Sequence, residues 1–120
     1  MTDTYLFDIN LQQLPDDYLT GEWRVADRVL NHTDPTSTLA QATHVSLEPG
    51  ALQVHMGNAY KSGQWAVRRD ELLSRPYLEL QLAEEDTRAL ITRLRRSADG
   101  LISQLSLYFL SGMEVQLTRP

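Results

Sequence analysis

Eight short stretches of this chain are rich in apolar residues, most of them alternating with polar ones, and most are bounded by glycine, proline, asparagine or aspartate. A period of two is what a strand with one buried face requires, because successive side chains leave a strand on opposite sides. The expected strands cover roughly 22–30, 44–48, 51–56, 64–67, 77–82, 87–95, 101–110 and 113–119. Their connections are mostly short, so consecutive strands are expected to pair as antiparallel neighbours. A meander of that kind loses both unpaired edges when it closes on itself. The expected fold is all-β: an eight-stranded antiparallel up-and-down barrel over 21–120. An N-terminal extended/helical lead-in, 1–20, would cover one barrel end. One domain of 120 residues is large enough to bury such a core without disulfides.

Local signals refine this picture. Tyr5, Phe7 and Ile9 alternate in a short extended piece, and Pro15 suits the first position of a helical turn. The connection 31–43 is polar and rich in proline, serine and threonine, with room for a short helix near Leu39-Ala40-Gln41. Loops of that length are often functional. Pro49-Gly50 makes the clearest hairpin, and an L-proline first in the loop favours a type I or II turn with a bulge or wider loop. Gly63-Gln64-Trp65-Ala66-Val67 echoes Gly21-Glu22-Trp23-Arg24-Val25 and reads as a second strand entry.

The Gly21-x-Trp23 pair opens the first strand after the lead-in, eight strands follow in meander order, and Arg119 closes the last strand. In these features the chain resembles the lipocalin-like (calycin) barrels, a group that takes in fatty-acid-binding proteins and avidin-type barrels. With no disulfide and a short chain, it looks most like the compact bacterial lipocalin-like domains. The resemblance implies that Arg119 packs over Trp23, a cation–π contact of about 0.5–2 kcal/mol that ties the barrel ends together. Gly21, Trp23 and Arg119 would thus be structural closure residues. It further implies binding of a small hydrophobic molecule inside the barrel, with no chemistry performed.

Residue by residue, the interior is expected to be lined by Val25, Val29, Val45, Leu47, Leu52, Val54, Met56, Val67, Leu78, Leu80, Leu82, Val115 and Leu117. Alternating apolar residues serve a filled core and a ligand cavity equally well. Asp27 and Arg69 fall on the inward parity of their strands and are candidates to orient a ligand's polar head. Asp27, Val29, Val54, Met56, Trp65, Val67, Arg69 and Leu80 therefore form the candidate ligand-binding set. The stretch 101–110 is apolar on both faces. A two-residue Ser111-Gly112 loop would turn Tyr108 and Leu110 inward, and one more loop residue reverses that. Either way, a stripe is left for the lead-in or a homodimer partner to cover. The alternative function is accordingly a solid barrel that binds a partner, or itself, through that strand.

Other classes find less support. Sixteen acidic against 11 basic residues give a net charge of −5, without the basic footprint of nucleic-acid binders. With no cysteine, thiolate nucleophiles and thiolate metal sites are excluded. His44 and His55 are expected to oppose each other across the hairpin, but two histidines with Glu48 nearby make a poor metal site. The Arg68, Arg69, Arg93, Arg95 and Arg96 group reads as surface charge. No nucleophile elbow, paired-histidine metal motif or cofactor motif occurs, so no catalytic residue and no cofactor is assigned. No stretch approaches the ~20 apolar residues of a membrane-spanning helix. If Met1 is the native start, the protein is expected in the cytoplasm; otherwise a leader could have been removed and the compartment is open.

Overall fold

The computed structural model describes residues 5–83 and 85–119. Its strands are β1 (Leu6–Asp8), β2 (Gly21–Val29), β3 (His44–Glu48), β4 (Ala51–Met56), β5 (Ala59–Arg69), β6 (Pro76–Leu82), β7 (Glu85–Ser97), β8 (Ser103–Phe109) and β9 (Glu114–Arg119). β2 to β9 pair in sequence order, every pair antiparallel, and β2 pairs with β9 to close the ring. This is the expected closed eight-stranded up-and-down barrel. Among the described residues, helix is limited to two short 3-10 turns, Leu11–Gln13 and Asp16–Leu19. The small β1 lies outside the ring and pairs with β7 at Arg95–Ser97, beyond the part of β7 that β6 covers.

The hydrophobic core lies inside the ring. Val45, Leu47, Leu52, Val54, Leu78, Leu80, Leu82, Leu105, Leu107, Phe109, Val115 and Leu117 are all buried there. Two features fix which residues point inward. β-Bulges shift the register between Val25 and Asp27 in β2 and between Ile91 and Arg93 in β7. Each bulge inserts a residue and so reverses the in–out parity beyond it.

The β8–β9 turn has three residues, Leu110 to Gly112, because Phe109 N–H bonds the Met113 carbonyl and Gly112 N–H bonds the Phe109 carbonyl. Gly112, at φ +97°, takes the left-handed position that such a loop needs. This corrects the orientation that a two-residue loop would give: Leu105, Leu107 and Phe109 face in, while Tyr108 and Leu110 face out. The outer face of β8 otherwise carries Gln104 and Ser106, so it is no continuous apolar stripe. The β3–β4 hairpin is tighter than expected. Glu48 pairs directly with Ala51 around Pro49-Gly50, with no bulge.

The lead-in is held against one barrel end by two arginines. Arg69 donates to the carbonyls of Leu11 and Leu14, and Arg119 to those of Tyr18 and Thr20. Leu14 and Leu19 are buried in the core. β1 is fastened by Asp8, which accepts from Arg93 Nε at 2.8 Å, with Arg95 Nε at 3.5 Å. The hydrogen bond from Arg93 holds the Asp8 carboxyl below its ordinary value of 3.8. A lowered carboxylate contributes stability that is present above the unfolded value and lost as pH falls through the folded one. The Arg93 Nε–H resonance and the Phe7 amide should therefore shift together below pH 3.8, and Asp8→Asn should abolish that titration. An unchanged titration in the variant would assign it to another carboxylate.

Candidate functional site

The end of the barrel opposite the lead-in is covered by the loop 30–43. It contains no helix, but Thr38, Leu39, Ala40 and Ala42 are buried. Their anchor is Arg28. The bulge after Val25 turns Arg28 toward the lid, where its guanidinium donates to the carbonyls of Leu39, Ala40 and Ala42. Glu85 takes the other side, accepting from Thr38 N–H at 3.1 Å. Asn31 and Thr33 tie the start of the loop to the β8–β9 turn through the Gly112 carbonyl and the Ser111 hydroxyl. The lid is thus fastened mainly by polar contacts over an apolar interior.

Beneath it lies a cavity of about 20 Å³, lined by Leu39 and Ala42 from the lid and by Val25, Val45, Leu47, Leu80 and Phe109 among others. A water needs roughly 10–15 Å³ of such space and several polar partners. With the lid seated, the barrel has no room for an organic ligand.

The closed end is built around Trp23, which is fully buried and donates Nε1–H to the Leu19 carbonyl at 2.8 Å. The Arg119 guanidinium lies 4.2 Å from the Trp23 ring centre and 5.3 Å from that of Tyr18. Burial lowers its pKa, opposed by the charge interaction with Tyr18. Gly21 makes the arrangement possible: a Cβ there would stand 3.3 Å from an Arg119 Nη. Arg119 thus lies over the Trp23 ring.

Of the candidate ligand-binding residues, Val54 and Leu80 are buried inside, and Met56, Trp65 and Val67 are partly buried against the core. Trp65 is occupied in holding the β3–β4 hairpin, donating Nε1–H to the Glu48 carbonyl at 2.6 Å. Asp27 and Val29 are not inside, because the bulge puts both on the surface, with Val29 48% exposed. Asp27 bonds the backbone N–H of Arg28. Arg69 sits at the closed end, where it binds lead-in carbonyls and that of Ser74, so no Asp27–Arg69 pair greets a ligand. The inward cation at the lidded end is Arg28, which strict alternation assigns to the outer face. A signal was present. Asp27 on an apolar parity, beside the small Ala26, is explained by an inserted residue.

His44 and His55 do oppose each other. Among the described residues, no three histidines or carboxylates group to hold a metal. The basic group is dispersed, with Arg68 on Glu79, Arg93 and Arg95 on Asp8, and Arg69 on the lead-in. No helix among the described residues is long and apolar enough to cross a membrane. Compared with known proteins, the chain matches no family model, and no characterised protein or solved structure is significantly similar to it.

Proposed function

We propose that this is a lipocalin-like binding barrel, performing no chemistry, which takes up a small hydrophobic molecule in the place that Leu39 occupies. The observation that carries the reading is Arg28. It is a cation turned to the barrel mouth whose donors are spent on lid carbonyls, over an interior with almost no polar lining. A carboxylate or other anionic head could replace those carbonyls, and charge-assisted bonds are the stronger kind. Leu39 contributes four side-chain carbons, so ligand and cavity together would accommodate a chain of about six carbons at interior packing density. Displacing Leu39 and the three carbonyls on Arg28 alone costs about 4–6 kcal/mol, which weakens any apparent affinity.

The test is a titration with sodium hexanoate, observed at the Leu39 and Ala42 methyl resonances. Saturable shifts are expected, weakened about tenfold by Arg28→Met and strengthened by Leu39→Ala, which removes the competing side chain. No saturation in either the wild type or Leu39→Ala, or indifference to Arg28→Met, would overturn the reading. A second reading, a solid barrel acting as an interaction module, is favoured by the 20 Å³ cavity.

A further inference from the structure

We propose that a groove on the outer face of β6, β7 and β8 binds a segment of a partner protein that sets a carboxylate beside a large apolar side chain. The site is separate from the barrel interior and goes beyond the ligand-binding reading. Leu90 pairs across the sheet with Tyr77 on one side and Tyr108 on the other. All three side chains point outward, and at strand spacing the two tyrosines stand about 10 Å apart, a slot one side chain wide with Leu90 as its floor. The groove has a volume of about 360 Å³ and is lined as well by Asp70, Arg75, Arg88, Phe109 and Leu110.

Arg88 decides the chemistry. It lies two residues along β7 from Leu90 on the same face, with its guanidinium 5.8 Å from the Tyr77 ring. No carboxylate among the described residues lies within ion-pair distance of it. Its cross-strand neighbour Glu79 pairs with Arg68, and Asp70 pairs with Arg75. The groove therefore carries two arginines to one carboxylate, Asp70, and among the described residues Arg88 has no ion-pair partner, on a chain whose net charge is −5. An acidic group on the occupant complements that cation, and arginine with tyrosine is the residue pair enriched where interfaces concentrate their binding energy.

The occupant is larger than a metabolite. Leu110 and Tyr108 at the rim are 78% and 48% exposed, and Leu72 and Leu73 in the turn between Asp70 and Arg75 are 93% and 61% exposed. Apolar surface thus continues past the slot, as it does at protein-binding sites. An isologous contact would set the same groove on both sides, each with two arginines to one carboxylate, Asp70, that Arg75 already engages, so a second copy brings no free carboxylate among the lining residues to Arg88.

The probe is the blocked peptide DFDLE, titrated into the full chain and followed by backbone amide shifts, with its uncharged analogue NFNLQ for comparison. Binding at about 1 mM or tighter is expected, with shifts centred on Leu90, Tyr108 and Leu110. Arg88→Gln and the uncharged analogue should each weaken it about tenfold, and Tyr108→Ser should abolish it. Arg28→Met should leave it unchanged, which separates this site from the interior one. Equal binding of the two peptides would overturn the proposal, as would shifts located elsewhere. So would no binding, Tyr108-dependent dimerisation, or preference for phosphatidylglycerol vesicles over the peptide.

Discussion

Gly63→Ala is expected to destabilise the barrel by about 3 kcal/mol or more, although it adds one methyl group. The added Cβ would fall 1.9 Å from the Gln81 carbonyl oxygen and 2.9 Å from its carbon. Both are backbone atoms of β6, so no side chain can rotate out of the way. Relief requires the β5–β6 ladder to open where Gly63 pairs with Leu82, while Gly63 also pairs with Leu52 of β4. Urea unfolding of Gly63→Ala beside Gly50→Ala makes the comparison. Gly50 has nothing within 4 Å but sits at φ +71°, so its alanine variant should lose only about 1 kcal/mol, from backbone strain. Equal losses at both positions would mean that β5 and β6 are not in such close approach.

Trp23→Ala is the other large effect, expected at about 3–5 kcal/mol. That is a substantial fraction of the roughly 5–15 kcal/mol that holds a domain of this kind together. The indole is fully buried, its N–H is satisfied by Leu19, and its face carries Arg119. Removing it leaves a cavity, an unpaired carbonyl and a guanidinium with only the Tyr18 ring beside it. A double-mutant cycle with Arg119→Met isolates the last part. A coupling of about 1 kcal/mol is expected from the stacked cation. Strict additivity would reduce Arg119 to its hydrogen bonds with Tyr18 and Thr20.

The barrel was legible in the sequence because it rests on alternation. The pairing of Trp23 with Arg119 was legible only through the resemblance to calycin barrels, while Arg69, expected to meet a ligand, instead holds the lead-in. The lidded end was not legible. Alternation counts residues, and one inserted residue after Val25 moved Arg28 toward the lid and left Asp27 and Val29 outside. One extra residue in the β8–β9 turn likewise decided the face of Leu105 and Tyr108. The lid has no period at all, so nothing in the pattern announced that Leu39 would be buried. Gly63 was noticed for its echo of Gly21 and read as a strand entry. It instead lies within β5, which begins at Ala59 and whose first residues are too polar to mark a strand.

The seam between β2 and β9 also has a meaning in time. Arg119 reaches the Thr20 carbonyl across 99 residues of chain, one of the most distant contacts the molecule makes. Bringing such ends together carries a loop-closure cost, and topologies dominated by distant pairings fold slowly. If the seam closes after the rate-limiting step, the stacked arginine does little to hasten folding and acts mainly on the escape rate from the native state. The Trp23–Arg119 contact is then best understood as a brake on opening, fixing how long a closed barrel stays closed.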